Sequence, residues 1–214
     1  MKTKKLISPI VLFLLCVFCV GQERDSLSNH DTISSNIKLA YNSSLIYPGV
    51  RLGIEIPLSI SHVISDKKNY TKEQFLSANL GWYHHPQFHD NLYISAGWIV
   101  RRTKISGFFT EFSPELGYSR TFLGGTTYKV NDNGEVSIDK LAGYSYALIL
   151  VGGGIGYDFS KQKHWPLATF LKANMLCLFP YNSTIYLRPT LEIGFIYKPI
   201  RFLRFVTKTK QVVK

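Results

Sequence analysis

Residues 50–61 read VRLGIEIPLSIS, and this stretch decides the fold because its hydropathy alternates without a break. Every even position, from Val50 to Ile60, is apolar, while the odd positions carry Arg51, Glu55 and small residues or proline. Successive side chains of a β-strand point to opposite faces of the sheet. The stretch therefore predicts a strand with one wholly apolar face and one polar face that contains charges.

The same two-residue period recurs in six further segments of the chain. Each of them reaches the roughly 9 to 11 residues that a tilted strand needs to cross a bilayer, which exceeds the usual 5 or 6 residues of strands in soluble sheets. No segment after residue 21 has the strong 3.6-residue period of an amphipathic helix. The six segments are residues 75–83, 92–102, 108–122, 145–159, 166–179 and 185–197.

The two faces of these strands differ in a way that indicates which of them meets lipid. The apolar faces are continuous and end in aromatic residues, whereas the opposite faces carry charges at strand centres. A glycine followed by an aromatic residue recurs, as in Gly81-Trp82 and Gly117-Tyr118. Inward glycines let a narrow barrel close, and outward rings form girdles at the headgroup level. The predicted girdle residues are Trp82, Trp98, Tyr118, Tyr157, Phe195 and Tyr197.

An eighth strand is required, because a single-chain bacterial barrel normally has an even number of strands. Residues 35–42 supply it, with Leu39 and Tyr41 outward and Lys38 inward. We therefore predict an all-β fold, an antiparallel up-and-down transmembrane β-barrel with eight strands. A soluble periplasmic β-barrel or sandwich is the alternative, since its charged strand faces would point to water. The expected outer loops are residues 43–48, 84–91, 123–143 and 180–184, and the expected periplasmic turns are 62–74, 103–107 and 160–165.

The two ends of the chain have their own composition. Residues 1–21 combine a basic start with an apolar run from Ile10 to Val20 and small residues before Gln22, which is typical of a cleaved secretory signal peptide. Of the 3 cysteines only Cys177 follows that segment, so neither an intrachain disulfide nor a thiol metal cluster is expected. The expected organisation is a signal peptide at 1–21, a linker at 22–34, the barrel at 35–198 and a basic tail at 199–214.

Several short stretches are distinctive: Tyr47-Pro48-Gly49, Tyr83 to Pro86 with Phe88-His89, Ser106-Gly107-Phe108, Gly117 to Phe122 and Gly156 to Phe159. In these stretches the chain resembles uncharacterised outer-membrane β-barrel proteins of the Bacteroidota. The resemblance covers about residues 45–198, and the basic tail departs from the pattern. It implies the barrel fold and an outer-membrane location, and it implies no assigned activity.

The inward charges are the most informative candidate site. Five are positive and four negative, and a near balance in so narrow a barrel favours a paired plug over an open pore, because a buried unpaired charge costs several kcal/mol. Arg101 and Glu111 are expected to meet across the turn at 103–107, since they lie on adjacent strands. A narrow selective conduit is the alternative. The predicted lumen charge network is Lys38, Arg51, Glu55, Arg101, Glu111, Glu115, Lys172, Arg188 and Glu192, with Arg51 and Glu55, or Arg188 and Glu192, offering further partners around the wall.

Three other features of the sequence are candidate sites. His84, His85, His89 and Asp90 are dense enough for a metal, but their segment is also an ordinary extracellular turn. An outer-membrane lipid hydrolase would need an outward serine and a carboxylate converging on His84, and the sequence offers no obvious pair. Residues 126–140 predict an extra hairpin around Asn131 to Gly134.

These observations predict an integral outer-membrane barrel with a structural or surface-interaction role. The alternatives are a narrow transport barrel and a soluble periplasmic ligand-binding barrel, and a lipid hydrolase is the least favoured. No catalytic, cofactor or metal site is assigned. The expected partner is outer-membrane lipid, not nucleic acid, since the chain contains no phosphate-binding loop or nucleic-acid module. An extracellular or periplasmic protein partner is left open.

Overall fold

The computed structural model describes residues 28–44, 47–64, 69–86, 88–139, 141–181 and 184–213. The expected signal peptide lies outside the described residues, so cleavage before Gln22 stays a prediction. Within the described part, no helix is long and apolar enough to cross a membrane. The strands are β1 (Ser28–Ser34), β2 (Asn36–Ser44), β3 (Tyr47–Ile64), β4 (Tyr70–His85), β5 (His89–Lys104), β6 (Phe108–Leu123), β7 (Tyr128–Val130), β8 (Val136–Ile138), β9 (Ser145–Asp158), β10 (Leu167–Tyr181), β11 (Thr184–Tyr197) and β12 (Arg204–Val213), with a 3₁₀ helix at Phe159–Lys161.

Eight of these strands form a closed ring. Their order around it is β2, β3, β4, β5, β6, β9, β10 and β11, and every neighbouring pair is antiparallel. The ring closes where β11 pairs with β2, from Leu191 opposite Ser43 to Tyr197 opposite Ile37. Closure gives each of these strands a neighbour on both sides over part of its length, which removes most of the unpaired edges that invite aggregation. The predicted all-β, eight-stranded, up-and-down barrel is confirmed.

The strands are longer than the alternation of apolar residues predicted. The β4–β5 ladder runs from Tyr70 opposite Lys104 to His85 opposite His89, so most of the expected turns at 62–74 and 84–91 is regular strand. Backbone hydrogen bonds continue past the point where the side chains stop alternating, because ladder pairing needs only N–H and C=O groups. The hydropathy pattern therefore marks the apolar band, not the full strand.

The outward and inward faces follow the predicted parity. Leu52 and Leu116, for example, are 52% and 66% exposed, whereas Arg51 between outward neighbours is fully buried. Glycine on the inner face makes room for large side chains: a Cβ at Gly81 would overlap the ring of Tyr93, and one at Gly152 would overlap the Asn174 amide. The outer face of the barrel is therefore apolar, and large side chains pack inside it beside these glycines.

The predicted girdle rings all lie on the outward parity, and all except the half-buried Tyr157 are more than a third exposed. Trp82 and Tyr118 lie toward the β4–β5 turn. Phe195 and Tyr157 flank Thr169 in one hydrogen-bonded row at the opposite end. Trp98 differs, because it lies opposite Leu76, near the middle of its strand.

Strands form in both segments that flank the expected barrel: β1 occupies residues 28–34 of the expected linker, and β12 occupies 204–213 of the expected basic tail. The β12 strand runs parallel to β3 over residues 59–64 and antiparallel to β1. The β2–β3 ladder stops at Asn36 opposite Glu55, so the last part of β3 has a free edge that β12 fills. Thr207 is fully buried there, and its hydroxyl donates to the Pro57 carbonyl at 3.4 Å. The composition of 204–213 fits this, because the segment is rich in β-branched residues as well as basic ones.

Candidate functional site

All nine residues of the predicted lumen charge network point into the barrel, and each is 6% exposed or less. Their positions follow from the two-residue period, which puts every second side chain of a strand on the inner wall. Eight of them form two linked clusters, one around Arg101 and one around Arg51. Arg188 lies apart from both.

The first cluster surrounds the Arg101 guanidinium on β5. It donates to both oxygens of Glu55 at 2.8 and 3.1 Å, and its Nε and Nη2 donate to Glu111 Oε2 at 3.1 and 2.8 Å. The rings of Phe75 and Phe109 both lie 5.0 Å from the guanidinium. The expected contact between Arg101 and Glu111 is therefore present, and Glu55 from β3 shares the same cation.

The second cluster surrounds Arg51 on β3. Arg51 pairs with Glu115 on β6 and, at 3.0 Å, with Glu192 on β11. Lys38 Nζ lies 3.5 Å from Glu192 Oε1. Lys172 Nζ lies 3.7 Å from Glu111, 4.0 Å from Glu115 and 3.9 Å from Glu192, so it links the two clusters. Four cations and four carboxylates thus balance within one connected set.

Neutral side chains also form hydrogen bonds with this set, and the sequence did not predict them. Ser95 Oγ donates to Glu115 at 2.7 Å, and Lys172 donates to Ser113 Oγ at 3.0 Å. Charged residues are conspicuous in a strand, whereas small polar residues are not. The signal that could have identified the serines and asparagines is their inward position next to a carboxylate. The amides that donate to carboxylates are Asn36 to Glu55, Asn79 to Glu115 and Asn174 to Glu192.

Arg188 takes no part in the network, and its expected partnership with Glu192 is absent. The two residues are four positions apart on β11, which separates them by about 13 Å along the strand. The Arg188 guanidinium instead lies 3.8 Å from the centroid of the Tyr83 ring and 5.1 Å from that of Tyr47. Arg51 and Glu55 likewise find partners on other strands, not each other.

The histidine cluster is divided between the two faces of the wall. His84 points outward, where its Nδ1 lies 2.8 Å from Asp90 Oδ1, and it stacks on Trp82. His85 and His89 point inward, with ring centroids 5.1 Å apart. No metal-ligating group of three or more is found among the described residues. The carboxylate that a hydrolase would need does meet His84, but no serine of the described ranges forms a hydrogen bond with either residue.

The predicted hairpin is present in the long connection between β6 and β9. Strands β7 and β8 pair from Tyr128 opposite Ile138 to Val130 opposite Val136. The turn is closed by Gly134, which has a φ of +80° and donates its N–H to the Asn131 carbonyl at 2.8 Å. All four strand-end residues are well exposed. The hairpin therefore projects from the barrel at the same end as the β4–β5 turn.

The fold and interior together define a closed eight-stranded β-barrel with an apolar outer wall and a charge-paired core. No family model and no curated protein matches the chain. Among solved structures it is similar to the N-terminal β-barrel domain of Pseudomonas aeruginosa OprF, with 15% identity, a TM-score of 0.38, and coverage of 78% of this chain and 100% of that one. It is also similar to Neisserial surface protein A (NspA), with 11% identity, a TM-score of 0.42, and coverage of 81% and 100%.

Proposed function

We propose that this protein is an integral outer-membrane β-barrel with a closed lumen and a structural or surface-interaction role. The contacts that cross the lumen carry the proposal. Arg51 on β3 reaches Glu115 on β6, three strands away around the ring, and Glu192 on β11, two strands away in the other direction. Side chains that meet across the bore leave no continuous aqueous path at that level.

The outer wall supports the membrane part of the proposal. Large apolar side chains at the middle of the barrel, such as Leu80, Ile94 and Leu116, are 46%, 56% and 66% exposed. They belong to a continuous band, whereas a soluble monomer rarely exposes an apolar patch of more than a few hundred Å². Buried cations and carboxylates inside such a band give the inside-out polarity of a transmembrane barrel. Lipid is the partner that this wall fits.

Within this proposal the surface-interaction role belongs to the outer end of the barrel, because paired side chains occupy the bore where Arg51 meets Glu115 and Glu192. The apolar residues of the β7–β8 hairpin and the aromatic rim around Tyr47 and His85 are the unusual chemistry there. A protein or small-molecule contact would use these groups. Membership among the outer-membrane barrels of the Bacteroidota, and export by a cleaved signal peptide, belong to the same proposal.

Membrane fractionation with an alkaline wash tests the location. The protein should stay in the outer-membrane pellet, because its apolar band would otherwise face water. Release into the soluble fraction would contradict the proposal and favour a periplasmic ligand-binding barrel.

Planar-bilayer recording tests the closed lumen. The purified protein should show no steady conductance. A variant with Arg51→Ala, Glu115→Ala and Glu192→Ala removes the side chains that cross the bore and should conduct, while the outward control Arg102→Ala should not. Reproducible channel steps from the unmodified protein would instead identify a transport barrel, and lipid breakdown by it would identify a hydrolase.

A further inference from the structure

Arg188 is a buried cation without a counter-charge in the structure. It is only 5% exposed, and its Nε has no hydrogen-bond partner. No carboxylate of the described residues forms an ion pair with it, and residues 45–46, 87 and 182–183, which lie outside the described ranges, include no Asp or Glu. The faces of Tyr83 and Tyr47 give it a cation–π environment, which replaces only part of what a buried cation loses in hydration.

A cavity lies directly against this cation. Its volume is about 240 Å³, and it lies inside the barrel end that carries the β4–β5 and β10–β11 turns. Its rings form a connected wall: the centroids of Tyr181 and Tyr186 are 4.8 Å apart and stacked, and those of Tyr146 and Tyr181 are 5.4 Å apart. We call it the tyrosine cup, defined by Tyr47, Tyr83, Tyr146, Tyr181, Tyr186 and Arg188.

The cup borders a buried hydrophobic cluster. Leu178 belongs both to the lining of the cavity and to this cluster, which also includes Tyr93, Leu148 and Leu176. This apolar layer separates the Arg188 guanidinium from the carboxylates of the lumen. An anion in the cavity would therefore supply the counter-charge that Arg188 lacks.

The other titratable groups around the cup do not neutralise Arg188. Asp90 is on the outer face with His84. His89 lies at the rim, beyond the apolar band, where burial together with the neighbouring His85 and Arg188 lowers its pKa. Arg188 is the permanently charged group in the lining of the cup.

We infer that the tyrosine cup is a binding site for a small organic acid, whose anionic group pairs with Arg188 while its ring or sugar body lies against the tyrosines. A guanidinium binds carboxylate and phosphate groups through directed, charge-assisted hydrogen bonds. Aromatic walls with a few convergent polar groups are the usual lining of small-molecule sites. The volume is below the roughly 300–1,000 Å³ of drug-sized pockets, so the ligand is no larger than an aromatic acid or a single sugar acid.

Two matched pairs of probes test the site on the full-length mature protein folded in detergent. Benzoate is compared with benzamide, and glucuronate with glucose, since each pair differs mainly in the negative charge. The acids should raise the melting temperature in a concentration-dependent way, and the neutral partners should not. If neither acid stabilises the protein or gives binding heat at tens of millimolar, or if the neutral partners act equally, the inference is overturned.

A variant comparison locates the site at Arg188. Arg188→Gln should weaken binding of the acids by about ten- to a hundred-fold, as expected for losing hydrogen bonds to a charged group. The control is Arg120→Gln, whose guanidinium donates to Ser145 Oγ and the Leu141 carbonyl on the outer wall at the same end. Equal binding by Arg188→Gln and the unmodified protein would overturn the assignment. If inorganic phosphate binds and neither benzoate nor glucuronate does, the assignment to an organic acid is overturned. The phosphate test and the two probe pairs use the unmodified protein, so they stay informative even if Arg188→Gln does not fold.

Discussion

Replacing Arg101 with methionine should be among the most damaging single changes in the barrel. Methionine keeps most of the side-chain volume but removes a guanidinium that holds both Glu55 and Glu111. Two buried carboxylates then lose their counter-ion, and breaking a buried pair in this way costs about 3–5 kcal/mol. Arg102 points outward and is exposed, so Arg102→Met is the matched control and should change stability by less than about 0.5 kcal/mol.

A double-mutant cycle separates the ion pair from mere loss of packing. Glu111→Gln alone should lower the free energy of unfolding by about 1–3 kcal/mol, because the charge-assisted hydrogen bonds from Arg101 are lost. The change also removes the negative charge that lies 3.7 Å from Lys172 Nζ. The double variant Arg101→Met/Glu111→Gln should cost less than the sum by about 1–3 kcal/mol, since one unpaired carboxylate is gone. Adding Glu55→Gln to the double variant should recover more stability, because it removes the second unpaired carboxylate.

Urea titration in lipid vesicles, followed by tryptophan fluorescence and by the heat-dependent mobility of the folded barrel on gels, measures these free energies of unfolding. The cycle requires reversible unfolding. Coincident unfolding and refolding curves for the unmodified protein and for Arg102→Met are the control for this. Strictly additive losses for Arg101 and Glu111 would refute the reasoning. That result would mean that the two groups do not meet and that the register of β5 against β6 is wrong.

Three further changes test other parts of the structure. Gly81→Val should destabilise the barrel by about 1–3 kcal/mol in the same titration, because the new side chain overlaps the ring of Tyr93; an unchanged midpoint would contradict the packing. Leu116→Arg should cost about 2–4 kcal/mol in lipid but far less in detergent that hydrates the wall, and equal costs would argue against a lipid-facing position. Truncation after Leu203 removes β12 but no ring strand, so the heat-dependent gel shift should persist while proteinase K, which needs no Lys or Arg, cleaves β1 faster; loss of the shift would show that the barrel depends on β12.

The period of two was enough to predict the ring strands and the inward side chains, because in a β-strand parity alone decides which face a residue takes. Pairing across the bore was not predictable. It depends on which strands face each other after closure, so Arg51 meets Glu115, 64 positions away. The irregularity between Pro57 and Ser59 was also hidden, since it changes backbone pairing and not the hydropathy pattern.

The candidate cup was missed for a related reason. Its inward parity placed Arg188 among the lumen charges. The apolar layer between Arg188 and the lumen carboxylates is visible only in the structure. The division of the histidines, in contrast, was within reach of the sequence. His84 and His85 are adjacent in a strand, so they had to take opposite faces, and the β4–β5 pairing then puts Asp90 beside the outward one.

The ion pairs of the core also bear on the order of events in folding. Lys38 and Arg51 belong to the first two strands of the ring and Glu192 to the last, so their pairs span the β2–β11 seam across more than three-quarters of the barrel sequence. Lys38 has its one ion-pair partner among the described residues, Glu192, across this seam, and Arg51 gains its second carboxylate there. For a barrel in a bilayer, as we propose, an unclosed sheet would leave Lys38 unpaired and facing hydrocarbon, so insertion and seam closure would be coupled. Pairing of such long sequence separation also slows assembly.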